Sequence, residues 1–239
     1  GSFCHCDMKL TGLDLSLFNW RQLEFWCKVN FIKGGLVFTD IITTVSPRYA
    51  HEIQTHEYGY GMDGVLKERT KNLHGIINGI DYAEWNPETD KLLPELYSPE
   101  QLQGKPKNKL ALQRRCQLPE KDVPIIGMVT RLADQKGLDL VAEGFDEIMK
   151  MDIQFVLLGT GEEKYHRIFG DIGKRYANKV GINISFDNSL AHLITAGADM
   201  LLVPSRYEPC GLSQLYALKY GTMPVVRETG GLADTIVNY

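Results

Sequence analysis

The chain has 239 residues, of which 44% are hydrophobic and 23% charged, and its formal net charge is -4. That length suits one large domain or two modest ones, and the lack of a basic excess excludes binding along phosphate backbones, so no nucleic-acid partner is expected. No run reaches the roughly 20 apolar residues that span a bilayer, and residues 1–10 lack a basic stretch followed by an apolar one, so a soluble intracellular protein without a membrane partner is expected.

The first part of the chain is weakly periodic. Residues 40–46 read as a strand, 47–56 as a helix and 73–78 as a further strand, which together suggest an α/β unit. Residues 81–103 are rich in Pro, Asn, Glu and Asp and read as a long surface connection. The domain border is therefore expected there, dividing the chain into 1–104 and 105–239. The segment 105–118 mixes Lys and Arg with Leu and Ala and predicts a helix.

From residue 123 the pattern becomes regular, with short apolar runs alternating with longer amphipathic ones. Strands are predicted at 123–130, 153–158, 182–186, 200–204 and 224–226, and helices at 137–149, 162–178, 190–196, 211–220 and 231–238. Right-handed crossovers then wind a Rossmann-like parallel sheet whose ligand crevice lies at the carboxyl ends of its strands. Chemistry is expected in the loops that follow strands.

Three such loops hold candidate residues. After the strand at 200–204 comes Ser205, Arg206, Tyr207, Glu208, Pro209, Cys210, Gly211, Leu212, which sets the Glu208 carboxylate at the crevice. Gly211 and Leu212 open the next helix, where free N–H groups can meet an anion or sugar hydroxyls. A purely structural alternative has Glu208 capping that helix and Pro209 setting the turn. After the strand at 123–130, Arg131 and Lys136 flank one loop. Fixed cations there can stabilise a departing diphosphate, Arg as a rigid fork and Lys as a compact point charge, and together they can stand in for a metal ion. A solvated surface pair is the plainer reading. Leu158, Gly159, Thr160, Gly161 do not complete the GxGxxG fingerprint, which disfavours hydride transfer; Gly159 serves either a tight turn or nucleotide contact. Thr229, Gly230 and Gly231 form a comparable glycine turn before a helix, open to the same two readings.

The cysteines number five, are scattered and show no CxxC spacing, which suggests a reducing compartment. Cys4, His5, Cys6 and Asp7 gather metal-ligating types, but adjacent side chains rarely converge and no second half-site follows, so no metal is expected.

Taken in order, these motifs resemble the bacterial glycogen synthase and plant starch synthase family of retaining glycosyltransferases. The resemblance runs from Thr11, Gly12, Leu13 and Phe18, Asn19, Trp20 through Thr43 to Ser46 and Asn78, Gly79, Ile80, Asp81. It continues in Lys105, Asn108 and Lys109, the Thr130 to Gly137 and Pro204 to Gln214 loops, Tyr220, Gly221, Thr222, and Thr229 to Leu232. It implies an α/β fold of the two-domain GT-B type, with an acceptor-side N-terminal domain and a C-terminal domain that binds the nucleotide sugar.

The same resemblance implies ADP-glucose as donor, an α-1,4-glucan such as glycogen or starch as acceptor, no cofactor and no metal. Arg131 and Lys136 would bind the diphosphate and Glu208 would face the glucose. Cys210, Gly211 and Leu212 would supply backbone contacts, and Thr229, Gly230 and Gly231 would line the same pocket. Configuration would be retained, by front-face attack assisted by the leaving diphosphate or through a covalent intermediate. A bacterial cytoplasm or a plastid stroma would house it.

The chain departs from the family pattern at two places. Tyr216 stands where many related retaining transferases carry a second glutamate, which is this family's own pattern rather than that of its wider clan. The N-terminal Lys-x-Gly-Gly-Leu donor signature and its histidine are not found. Lys33, Gly34, Gly35 and Leu36 imitate the signature inside a predicted helix and are read as a decoy. A chain incomplete at both ends is expected, which opens the alternative of an inactive nucleotide- or glucan-binding fragment. A transferase for another sugar nucleotide, or a phosphorylase, is a third reading.

Overall fold

The computed structural model describes residues 1–238. The chain forms two compact units, Gly1–Ile77 and Asn78–Tyr239.

The first unit is small. Strands β1 (Ser2–Phe3), β2 (Glu24–Phe25) and β3 (Lys28–Asn30) form an antiparallel sheet in the order β1-β3-β2, and helix α1 (Met8–Thr11) lies between β1 and β2 in sequence. Helix α2 (Phe31–Phe38) follows, capped by the Asn30 side chain, which accepts the Lys33 N–H. The Lys33 to Leu36 segment lies within α2, as its helical pattern predicts. The Lys33 ammonium is buried and donates to the carbonyls of Trp20 and Glu24, so it fastens α2 to β2 and the loop before it. Next come β4 (Ile42–Thr44), α3 (Pro47–Glu52), α4 (Asp63–Glu68) and β5 (Leu73–Gly75), with β4 and β5 paired in parallel. Ile42, Ala50, Leu66 and Leu73 form their common core.

The second unit opens with α5 (Gly104–Arg115), then alternates β6 (Ile125–Val129), α6 (Leu138–Glu143), α7 (Phe145–Ile148), β7 (Gln154–Leu158), α8 (Glu163–Arg175) and β8 (Val180–Asn183). It continues with α9 (Asn188–Gly197), β9 (Met200–Val203), α10 (Ser213–Lys219), β10 (Met223–Val226) and α11 (Gly230–Thr235). The sheet order is β10-β9-β6-β7-β8, all parallel. All five residues of β7 are buried, because helices cover both faces of a central parallel strand. Val156 and Leu158 point to one layer with Leu112 of α5, Ile194 of α9 and Ala217 of α10, while Phe155 and Leu157 point to the other with Leu138 of α6 and Phe169 of α8.

Three details differ from the expectations. The helix at 137–149 is two helices, α6 and α7, parted at Gly144, whose backbone at φ -87° and ψ 0° leaves the helical track. The strand expected at 182–186 is β8 at Val180–Asn183, because its register against β7 runs from Phe155↔Val180 to Leu158↔Asn183; Phe186 leaves the sheet and stands 91% exposed.

The connection at 81–103 does not run free over the surface but packs onto the second unit. Its Asp90 is buried, accepts a hydrogen bond from the Tyr220 hydroxyl at 2.7 Å and meets His192 Nδ1 of α9 at 2.7 Å. Trp85 is sandwiched between His192 and Tyr216, both ring centroids at 3.8 Å. The Tyr97 hydroxyl donates to the Tyr220 carbonyl. These contacts place residues 78–104 with the second unit rather than the first.

Lys105 completes the fastening. Its ammonium reaches Ala196 O, Ala198 O, Tyr220 O and Thr222 Oγ1 at 2.6 to 3.3 Å, gathering orphan carbonyls at the ends of α9 and α10. Burial pulls its pKa down to about 8, against the upward pull of Asp199. Trp85→Ala should lower the unfolding free energy by roughly 3 kcal/mol through loss of a packed aromatic, and Trp85→Phe should recover more than half, measured by urea unfolding of the chain.

Candidate active site

The strand order sets the site. The helix after β6 packs on one face of the sheet and the helix after β9 on the other. Neighbouring strands whose connections part in this way leave a crevice at their carboxyl ends, where ligands bind in open α/β sheets. A cavity of about 290 Å³ occupies that point, lined by Met128 to Arg131 from β6, Leu202 to Ser205 from β9, and Lys136, Glu208, Gly211, Leu212 and Ser213.

Lys136 and Glu208 meet across it, with Nζ 2.6 Å from Oε2. The Ser205 hydroxyl donates to the same carboxylate oxygen at 2.9 Å. Their side chains are only 20% and 11% exposed, so the pair is poorly screened and its hydrogen bonds are charge-assisted. Glu208 does not cap the following helix. The position before α10 is Leu212, with no side-chain cap, and the Glu208 carboxylate is engaged by Lys136 and Ser205.

The two loops are welded together by more than this pair. Gly137 has φ +66°, and a Cβ there would lie 2.2 Å from the Pro204 carbonyl oxygen, so only glycine permits the close approach. Gln135 accepts from Arg131 at 3.1 Å and donates to the Tyr207 carbonyl at 3.2 Å, while its own carbonyl accepts the Arg206 N–H at 2.8 Å. Arg206 also pairs with Asp139 of α6. On the far side, Asp134 accepts from Lys164 and from the Tyr165 hydroxyl. The Lys164 hydrogen bond first, and then that of Tyr165, hold the Asp134 carboxyl below the usual range. The turn Asp134–Lys136 that presents the ammonium is thus pinned at both ends.

A second cavity of about 620 Å³ adjoins the first. Val129, Thr130 and Arg131 line both, and Leu158 to Gly161, Ser185 to Asn188 and Ala191 complete it. Gly159 belongs to this wall. A Cβ at Gly159 would stand 1.9 Å from the Thr130 carbonyl oxygen, so the glycine lets the β7 loop lie against the β6 loop. The close approach that requires glycine is therefore backbone against backbone.

Of the expected site residues, Arg131, Lys136, Glu208, Gly211 and Leu212 share one cavity, and Gly159 lines the next. Cys210, Thr229, Gly230 and Gly231 line neither. Cys210 is buried, and Gly231 N–H donates to the Glu208 carbonyl at 3.0 Å, so this turn supports the Glu208 loop from behind. Sequence reasoning missed Phe186, an exposed aromatic at the larger cavity, and Gln135, which joins the loops; the apolar run through Phe186 reads equally as strand. Among the described residues, no three His, Cys, Asp or Glu side chains are placed to hold a metal ion, and no helix is long and apolar enough to cross a membrane.

A Rossmann-like sheet with a cation and carboxylate at its switch point and an apolar cavity beside it has the form of an α/β ligand-binding crevice. Comparison with known proteins gives the family. Residues 1–68 match the model of the starch synthase catalytic domain, and residues 112–239 match that of the group 1 glycosyl transferases. Glycogen synthase of Thermosipho africanus is 55% identical over 240 residues, covering 100% of this chain and 50% of the relative. Glycogen synthase of Fervidobacterium nodosum is 54% identical, covering 97% of this chain and 48% of its own length. The catalytic domain of starch synthase IV from Arabidopsis thaliana, solved bound to ADP and acarbose, superposes with a TM-score of 0.93 at 36% identity, covering 99% of this chain and 50% of that one.

The chain belongs to the glycogen synthase and starch synthase family of GT-B glycosyl transferases. It spans about half the length of the curated relatives it matches.

Gly137→Ala should lower the unfolding free energy by at least about 2 kcal/mol, because the φ and the Pro204 carbonyl both oppose a Cβ. Gly35→Ala, on an open face of α2 with nothing within 4 Å of the added carbon, should raise stability by about 0.5–1 kcal/mol. Urea unfolding of both variants checks the contrast.

Proposed function

We propose that this chain carries the donor site of a glycogen or starch synthase, which transfers glucose from ADP-glucose to the non-reducing end of an α-1,4-glucan with retention of configuration. The observation that supports this reading best is the single cavity holding Arg131, Lys136 and Glu208 beside a larger apolar one. We assign one of the two adjoining cavities to each end of a sugar nucleotide. The glucosyl diphosphate occupies the smaller polar cavity, and the adenosine lies in the larger one against the exposed face of Phe186.

The chemistry follows from the charges. Breaking the bond between the anomeric carbon and the diphosphate leaves negative charge on the departing oxygen. Lys136 spends one of its three N–H donors on Glu208 and offers the others to that oxygen. Arg131 is held by Gln135 through one nitrogen and presents the rest of its fork to the diphosphate. Both are fixed before substrate arrives, so little reorganisation is needed in the transition state. Glu208 faces the glucose and keeps Lys136 in place. Gly211, Leu212 and the buried Cys210 supply the backbone around the sugar, and the Thr229, Gly230, Gly231 turn holds that backbone from behind. Residues of the chain supply the positive charge, so no metal ion or cofactor is called for. The source we infer is a bacterial cytoplasm, in keeping with the bacterial relatives.

Incubation with labelled ADP-glucose and glycogen tests the reading. Incorporation should appear, persist in EDTA, and fall by ~10²–10³ fold for Arg131→Ala or Lys136→Ala, the scale for losing one preorganised donor; Glu208→Ala should also abolish most of it. ADP binding without incorporation would instead identify a nucleotide-binding fragment. Preference for another sugar nucleotide or for free phosphate would contradict the proposal.

A further inference from the structure

Three of the five cysteines, Cys4, Cys6 and Cys27, stand exposed in the first unit. Cys4 is extended and caps the short 3-10 turn His5–Asp7, its sulfur accepting the Cys6 N–H at 3.4 Å. The Cys6 sulfur lies 4.0 Å from Asp7 Oδ1. Hydrogen bonding to Cys4, ahead of all other causes, raises the Cys6 thiol above its usual range. The Cys4 sulfur thus lies against the Cys6 backbone in a solvent-facing turn that carries both thiols.

Packing does not account for either residue, since both side chains are exposed. Capping does not require them either, because oxygen side chains cap better than a weakly accepting sulfur. Among the described residues no three potential ligands converge on a metal position, so what the pair offers is sulfur chemistry. The helical turn at His5 draws the two Cα atoms within the ~4.4–6.8 Å span that a disulfide requires.

We propose that Cys4 and Cys6 form a redox-active dithiol, which closes to a disulfide on reaction with a small-molecule disulfide such as oxidised glutathione. The Cys4 thiolate attacks one sulfur of the oxidant, breaking its S–S bond and releasing one glutathione thiolate. Deprotonated Cys6 then attacks the Cys4 sulfur of the mixed disulfide and releases the second. The two protein thiols lose two protons and two electrons, which leave with two molecules of reduced glutathione. Closure replaces a sulfur hydrogen bond by a covalent link immediately before α1, whose Met8 is fully buried against Leu23 and Val29. In a reducing compartment such a link is transient and reports the redox state.

The test equilibrates the chain with graded ratios of oxidised to reduced glutathione, alkylates with iodoacetamide and digests with trypsin. Both cysteines lie on the peptide that ends at Lys9, while Cys27 lies on the peptide that ends at Lys28. At oxidising ratios the first peptide should lose both alkyl groups and two hydrogens, and the Cys27→Ser variant should behave alike. The Cys4→Ser variant should leave Cys6 as a lasting glutathione adduct. Alkylation of both cysteines at every ratio, two glutathiones on one peptide, or a cross-link to the Cys27 peptide would each overturn the proposal.

Discussion

Lys136 and Glu208 tie together two loops that the fold itself drives apart. β6 and β9 are neighbours in the sheet, yet the helices that follow them cover opposite faces, so the loops between strand and helix must diverge. Their divergence makes a crevice, and a charged pair 2.6 Å apart spans it. Three further contacts hold the two loops together. Gly137 allows the loops to touch, Gln135 bonds to both sides, and Asp134 is anchored by Lys164 and Tyr165. A lysine so placed retains N–H donors for an anion without leaving its partner.

Rigidity comes from the segment that leads into the second unit. Asp90, Trp85 and Tyr97 engage α9 and α10 through two hydrogen-bonded acid contacts, a double aromatic stack and a phenol bound to a backbone carbonyl. Burial, followed by the Asp90 hydrogen bond, raises the Tyr220 phenol, which therefore stays a donor to that carboxylate across the physiological range. Tyr216 serves as a stacking surface for Trp85. The helix behind the Glu208 loop is thereby braced from outside the sheet.

Much of this was legible in the residues. The apolar run Phe155–Leu158 reads as a buried parallel strand and is one, and Arg131, Lys136 and Glu208 stand in loops that follow strands of that sheet. The division at 81–103 was harder to read, because its polar composition suggested solvent while Trp85, Asp90, Leu93 and Tyr97 bind it to the second unit; four spaced contacts leave no periodicity. Thr229 to Gly231 stayed open between a phosphate turn and a structural one for a related reason. A glycine required by a neighbouring backbone and one required by a ligand look alike in sequence, and only the contact with the Glu208 loop separates them. Phe186 escaped notice because the end of β8 is set by pairing with β7, not by hydrophobicity.

A crystal structure of the chain soaked with ADP tests the central claim most directly. The account predicts diphosphate oxygens within hydrogen-bond distance of both the Arg131 guanidinium and the Lys136 ammonium, with adenine in the larger cavity at Phe186 and the Glu208 carboxylate still on Lys136. A diphosphate bound away from the junction of β6 and β9, with that ion pair untouched, would contradict it.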